Sequence, residues 1–219
     1  MHPPLLTGPF HLPVAFDLAA TFLFAITGAL AAMRKRYDLV GVLVLAFVTG
    51  LGGALLRDGL FLQGGPPAVI TDGRYLLGVL AGAGVGAYFA RHMHRLKLLF
   101  VLADALALGM YAVIGAQKSI ALQLPLLTAT LVGVVNAVGG GLVRDVLVRD
   151  EPLMFKPGEF YALAALAGCS AFIVLSVHLE VQPALAAPVG IAVAFSVRML
   201  SIRLGWKTGA LVDDDQGPV

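Results

Sequence analysis

The chain has 219 residues, 59% of them hydrophobic and 13% charged, with a formal net charge of +2 and a mean hydropathy of +0.90. A soluble domain carries about 25% charged residues, so the composition excludes a soluble globular protein and points to an integral membrane one. A single cysteine, Cys169, excludes an internal disulfide and argues against a cysteine metal centre.

The N-terminus opens on His2-Pro3-Pro4 without a basic segment, so the first apolar run reads as a retained helix rather than a cleaved signal. About 20 apolar residues cross a bilayer. Seven such runs follow one another, at 14–33, 39–62, 75–90, 98–116, 122–148, 160–177 and 183–204. The third is the shortest. Short connections carry turn residues, among them Gly64-Gly65-Pro66-Pro67, Lys156-Pro157-Gly158 and Gln182-Pro183. The tail, 205–219, is polar and reads as disordered. The whole chain is one membrane domain, all α-helical.

Lysine and arginine set the orientation. Arg34, Lys35 and Arg36 follow the first span, Arg91, Arg95 and Lys97 the third, Arg149 and Lys156 the fifth, and Arg203 and Lys207 the seventh. With seven spans these all fall on one side. The N-terminus is then outside and the C-terminus cytoplasmic. The first two clusters are suited to anionic lipid headgroups. His92 and His94 sit in the second and read as part of a basic flank rather than a metal site.

Superimposed on this order is a repeat. Gly52-Gly53-Ala54-Leu55-Leu56-Arg57-Asp58 recurs 87 residues later as Gly139-Gly140-Gly141-Leu142-Val143-Arg144-Asp145. The same offset relates Asp17 to Asp104, Thr49 to Asn136 and Gly28-Ala29 to Gly115-Ala116. Repeat one covers about 14–90, repeat two about 98–177, and the helix at 183–204 lies outside both. Three helices per repeat is an odd number, so the copies enter the membrane from opposite sides. This is the inverted 3+3 architecture of many transporters and some channels.

Glycine clusters are poor helix formers, and unwound backbone in a bilayer is tolerated only inside protein or beside a water-filled cavity. Gly52, Gly53, Gly139, Gly140 and Gly141 are therefore expected to break or kink the second and fifth spans, freeing carbonyls for a cation. Close helix packing is the simpler alternative, and it suffices for Gly78, Gly82 and Gly86 in the third span. Arg57, Asp58, Arg144 and Asp145 are expected toward the two mouths, as vestibule and gating charges or as structural ion pairs. Neighbours on a helix lie about 100° apart, so each is expected to pair with another helix, with Asp17 and Asp104 as partners for the arginines. The two aspartates also suit helix N-termini. Lys118 either snorkels to the interface or gates the path. Thr49 and Asn136 either complete a constriction or hydrogen-bond across helices. No Walker loop, HExxH or nucleophile elbow is present, so no enzyme is expected, and nothing points to a cofactor, a metal or nucleic acid.

The doubled Gly-Gly-(Gly/Ala)-x-x-Arg-Asp pattern, the seven spans and the inverted repeat resemble the prokaryotic trimeric intracellular cation (TRIC) channel family, also labelled glycine transporters. The resemblance covers residues 16–204 and implies a homotrimer with a pore in each protomer, lined by the two glycine-bearing helices and passing potassium and sodium. A prokaryotic plasma (inner) membrane is expected from the short termini and the lack of a retention tail. Ala54 stands where a third glycine is expected, so the first kink is the milder. A secondary transporter for a small zwitterion such as glycine fits the inverted repeat equally well, and a lipid-scaffolding protein is a third reading.

Overall fold

The computed structural model describes residues 11–92, 96–156 and 160–206, with the side chains of residues 91 and 92 left aside. Arg95 and the tail beyond Trp206, both named above, lie outside the described residues. The described residues are helical with no strand. In chain order they form α1 (Val14–Arg34), α2 (Leu39–Leu56), the short α3 (Ala68–Thr71), α4 (Gly73–His92), α5 (Leu96–Ala121), α6 (Leu126–Leu147), α7 (Tyr161–Ile173) and α8 (Pro183–Leu204). Wider π-helical turns extend α2 over Arg57–Leu62 and α7 over Val174–His178.

Six helical stretches have the length and apolarity to cross a membrane: Val14–Arg34, Leu39–Leu62, Leu96–Ala121, Leu126–Leu147, Tyr161–His178 and Pro183–Leu204. The seventh expected span, α4, has 20 residues but is not among them. Its five glycines and the arginines at its ends lower its hydropathy. Of the three glycines expected to pack, Gly82 and Gly86 do so closely, while a Cβ at Gly78 would only reach ordinary contact with the Leu18 carbonyl at 3.9 Å. A Cβ at Gly82 would meet the Phe22 carbonyl at 2.6 Å, and one at Gly86 the Ala29 Cβ at 2.7 Å, so α4 lies directly on α1.

Sequence chemistry fixes several helix ends. Asp38 accepts a hydrogen bond from Gly41 N at 2.8 Å and so caps α2. Pro183 opens α8, where no N–H is needed. Gly205 ends α8 in the left-handed region, with φ +60°. Leucines and valines such as Val44, Leu77, Leu131 and Leu185 point outward. The centre is rich in alanine, with valine, leucine, isoleucine and a few aromatic rings, and small residues there let helices approach closely.

The helix triplets α1, α2, α4 and α5, α6, α7 share one equivalent close contact. Within the first, a Cβ at Gly28 would meet the Leu45 carbonyl and Ala46 Cα. Within the second, a Cβ at Gly115 would meet the Val132 carbonyl and Gly133 Cα. Each residue is its counterpart displaced by 87. Between the triplets the contacts are reciprocal. Gly53 faces the Asn136 carbonyl, while Gly140 faces the Thr49 carbonyl.

Candidate functional site

The site is the crossing of α2 with α6 and the charged groups on either side of it. Residue 49 lies against 140 and residue 53 against 136. One index falls as the other rises, so the helices are antiparallel. A Cβ at Gly52 would sit 3.5 Å from Gly140 Cα, and one at Gly139 would sit 3.3 Å from Gly53 Cα. The expected helix breaks are not found here. α2 runs unbroken over Gly52 and Gly53, and α6 over Gly139, Gly140 and Gly141. Lacking side chains, these glycines let two continuous backbones touch, and contact offsets the entropy that glycine costs a helix. The first departure from α geometry comes later, at Arg57.

Arg57 and Arg144 each lie six residues beyond the crossing centre, about 9 Å along their helices in opposite directions. Both are fully buried, with 0% exposure. Arginine does not lose its proton in proteins, so burial demands carboxylates. Arg57 Nε and Nη2 donate to Asp58 at 2.6 and 2.9 Å, and Nη2 reaches Asp17 Oδ2 at 3.4 Å. Arg144 Nε donates to Asp145 Oδ1 at 2.8 Å, and Nη1 reaches Asp104 Oδ1 at 2.8 Å. The pairing with Asp17 and Asp104 is as the sequence suggests. The pairing with Asp58 and Asp145 is a correction: the arginine stem is long enough to curl back onto its own neighbour.

Each cluster is completed by the other triplet. Lys118 of α5 donates to Asp17 Oδ2 at 2.8 Å and keeps its side chain 30% exposed. Thr27 of α1 accepts from Arg144 Nη1 at 2.9 Å. Lys118 is thus neither a plain snorkelling residue nor free. Asp17 lies in the first turn of α1, as expected. Asp104 does not begin a helix, because α5 starts two turns earlier, at Leu96. Thr49 donates to the Leu45 carbonyl of its own helix at 2.6 Å. Asn136 reaches across to the Tyr111 carbonyl of α5 at 2.6 Å.

Three tyrosines that the sequence reading did not single out belong to the site. Tyr75 donates to Asp17 Oδ2 at 3.0 Å. Tyr111 donates to the Gly50 carbonyl at 2.6 Å and contacts Thr21 Oγ1 at 2.7 Å. Tyr161 faces Gly141, where a Cβ would meet its hydroxyl at 2.8 Å. The only sequence signal for Tyr75 and Tyr161 is that each stands near the start of its triplet's third long helix.

Among the described residues, five buried side-chain polar atoms have no protein partner: Asp17 Oδ1 and Arg57 Nη1, Asn136 Oδ1, then Arg144 Nη2 and the Tyr161 hydroxyl. In this order they run from one charged cluster, through the crossing, to the other. Beside the first cluster is a cavity of about 140 Å³ lined by Asp17, Asp72, Tyr75, Gln117, Lys118 and apolar residues. No group of three or more His, Cys, Asp or Glu side chains fit to hold a metal ion occurs among the described residues.

Known proteins are similar to this chain in sequence and fold. A family model described as Glycine transporter matches residues 14–91 and 101–177, two segments that begin 87 residues apart, the offset of the repeat. A UPF0126 membrane protein of Deinococcus radiodurans is 38% identical over 163 residues, covering 74% of this chain and 75% of that one. The UPF0126 inner membrane protein YadS of Escherichia coli K12 is 34% identical over 206 residues, covering 92% of this chain and 97% of its own. Among solved structures, a TRIC trimeric intracellular cation channel orthologue from Rhodobacter sphaeroides superposes with a TM-score of 0.82 at 32% identity, over 88% of this chain and 97% of that one. A second TRIC cation channel gives 0.80 at 30% identity, over 94% of this chain and 100% of its own.

Proposed function

This chain belongs to the glycine transporter family, with TRIC cation channels as structural neighbours, and on that premise we propose that it is a monovalent-cation channel. The path follows the α2–α6 crossing within each protomer. It passes potassium and sodium without sharp selection, since the sequence holds no Thr-Val-Gly-Tyr-Gly filter. The observation that carries this reading is the file of unpartnered buried polar atoms from Asp17 to Tyr161. Each such atom costs about 1–3 kcal/mol, and unpartnered polar atoms in both clusters and at the crossing between them serve a polar cargo better than they serve packing.

At the crossing the two backbones touch, so this arrangement is closed there. Conduction requires α2 and α6 to bend at their glycines and part. Arg57, Asp58, Arg144, Asp145 and Lys118 act as vestibule and gating charges, with Asp17, Asp104, Thr49 and Asn136 lining the way. α4 is a seventh span, the two triplets are inverted in the membrane, and the protein is a homotrimer. The Arg57 mouth is outer and the Arg144 mouth cytoplasmic, because the arginines and lysines gather at the latter end. Anionic lipids meet Arg34, Lys35, Arg36, Arg91, Arg95 and Lys97.

Purified protein in a planar bilayer under asymmetric potassium chloride is the test. Discrete openings reversing near the potassium equilibrium potential are expected, with altered conductance in Arg144→Ala. Silence from inserted, folded protein overturns the reading. One observation favours a second reading, a carrier of a small zwitterion such as glycine: the outer cavity places the Asp17 carboxylate beside the Lys118 ammonium. Saturable, stereoselective amino-acid counterflow without ion current would establish it.

A further inference from the structure

The two mouths differ in one respect that the repeat does not predict. After α6 the chain turns back at Arg149, which is left-handed at φ 57°, and residues 148–155 lie across the Arg144 cluster. Two ties hold this segment. Leu153 N donates to Asp145 Oδ2 at 3.1 Å, and the other oxygen of that carboxylate accepts from Arg144 Nε. Farther out, Lys35, which caps α1, donates to Asp150 Oδ1 at 2.7 Å. Leu153 and Met154 pack against the core at and just beyond the first tie.

The outer mouth has neither tie. The positions 87 residues away are Leu122 for Lys35, Gln63 for Asp150 and Pro66 for Leu153. Leucine and glutamine form no ion pair, and proline has no N–H to offer Asp58. Both Asp58 oxygens accept from Arg57 instead. The outer mouth bears the cavity while the inner one carries the segment.

We propose that residues 148–155 are a strap closing the inner mouth, latched by Lys35 and Asp150 across the two triplets and coupled to Arg144 through the Asp145 carboxylate. The proposal rests on the α2–α6 crossing being the conduction path. The strap lifts when the latch opens, and Asp145 then loses its backbone donor and is free to shift its hold on Arg144. The Lys35 and Asp150 side chains are 36% and 40% exposed, so the latch is a weak, salt-sensitive restraint suited to repeated opening.

The test reads strap position and current separately. Leu153→Cys in nanodiscs is labelled with a charged thiol reagent; native Cys169 is fully buried and serves as the background. Adding Asp150→Asn, or raising potassium chloride to about 1 M, where the screening length is about 3 Å, is expected to speed labelling about two- to five-fold, the range an exposed ion pair supports. The charge swap Lys35→Asp with Asp150→Lys is expected to restore the slow rate. In bilayers Asp150→Asn is expected to raise open probability by a similar factor with single-channel conductance unchanged. Labelling indifferent to Asp150→Asn and to salt overturns the strap. Faster labelling with unaltered open probability in an active channel overturns its role as a gate. Faster labelling of a protein that never conducts supports the strap and overturns the channel reading instead.

Discussion

Phe24 and Tyr111 stand 87 residues apart in the sequence and against each other in the fold, their ring centroids 5.4 Å apart at an interplanar angle of 35°. They are equivalent positions of the two triplets, so their contact marks the place where the halves meet. Phe24 is purely apolar, whereas Tyr111 adds a hydroxyl bonded to Gly50 and Thr21. The halves share a framework and have diverged in its polar detail.

Gly53→Ala and Gly140→Ala test that framework. The added methyl would enter the carbonyl of Asn136 in one case and of Thr49 in the other, and both obstacles are backbone. Overpacking of this kind costs about 1–3 kcal/mol. Because the contacts are reciprocal, the two variants are expected to lower the thermal midpoint by similar amounts and to change open probability in the same direction. Strongly unequal shifts in a melting experiment would contradict the reciprocal crossing.

Arg144 tests the charge clusters. Removing one partner of a buried ion pair costs about 3–5 kcal/mol, because the other charge stays behind. Arg144→Ala leaves Asp104 and Asp145 without their guanidinium. Arg144→Lys keeps the charge but cannot engage Asp145 from one nitrogen and Asp104 with Thr27 from another, as Nε and Nη1 of the guanidinium do. Both single variants are expected to melt lower than wild type. Pairing Arg144→Met with Asp104→Asn is expected to recover part of the loss, which a double-mutant cycle would measure.

Much of this was legible from residues alone. Asp17 with Arg57, and Asp104 with Arg144, follow from charge economy in an apolar chain, and the packing of Gly82 and Gly86 follows from their spacing. The role of Gly52, Gly53, Gly139 and Gly140 did not follow. Propensity says that glycine weakens a helix, and only the partner backbone shows why the helix survives. The pairing of Asp58 and Asp145 with their own neighbouring arginines is not legible from Cβ directions, which point pairing to other helices and leave out the length of the arginine stem. Asp104 was placed near a helix start because the Leu96–Ala121 helix begins in a basic, less apolar stretch. The Lys35–Asp150 pair spans 115 residues and leaves no local pattern at all.

That pair has a defined pH dependence. The hydrogen bond from Lys35 holds the Asp150 carboxyl below its usual range, and the charges of Lys35, Arg34 and Lys156 add to this, against a smaller opposing effect of burial. A carboxylate with a depressed folded-state pKa stabilises fully above its unfolded value, about 3.9 for aspartate. The stabilisation fades as pH falls through the folded value. The effect of Asp150→Asn on Leu153→Cys labelling is therefore expected to be constant from roughly pH 5 upward, where aspartate is ionised in either state. It is expected to shrink only below the ordinary aspartate range. A latch that released near neutral pH would contradict Asp150 as its anion.

Tyr161 separates packing from passage. Its hydroxyl is buried without a protein partner, facing Gly141 and near the unpartnered Nη2 of Arg144. The Arg198 guanidinium lies 5.1 Å from its ring centroid, a contact that a phenyl ring retains. If the side chain only fills space, Tyr161→Phe removes a desolvated polar group and is neutral or stabilising by about 1 kcal/mol. If the hydroxyl also helps carry a polar cargo past Arg144, the same variant lowers single-channel conductance while the thermal midpoint holds or rises. That divergence, stability kept and current reduced, is the expected result. Loss of both together would make Tyr161 a structural residue bonded to its surroundings. Unchanged current would take it, and the inner end of the polar file with it, out of the conduction path.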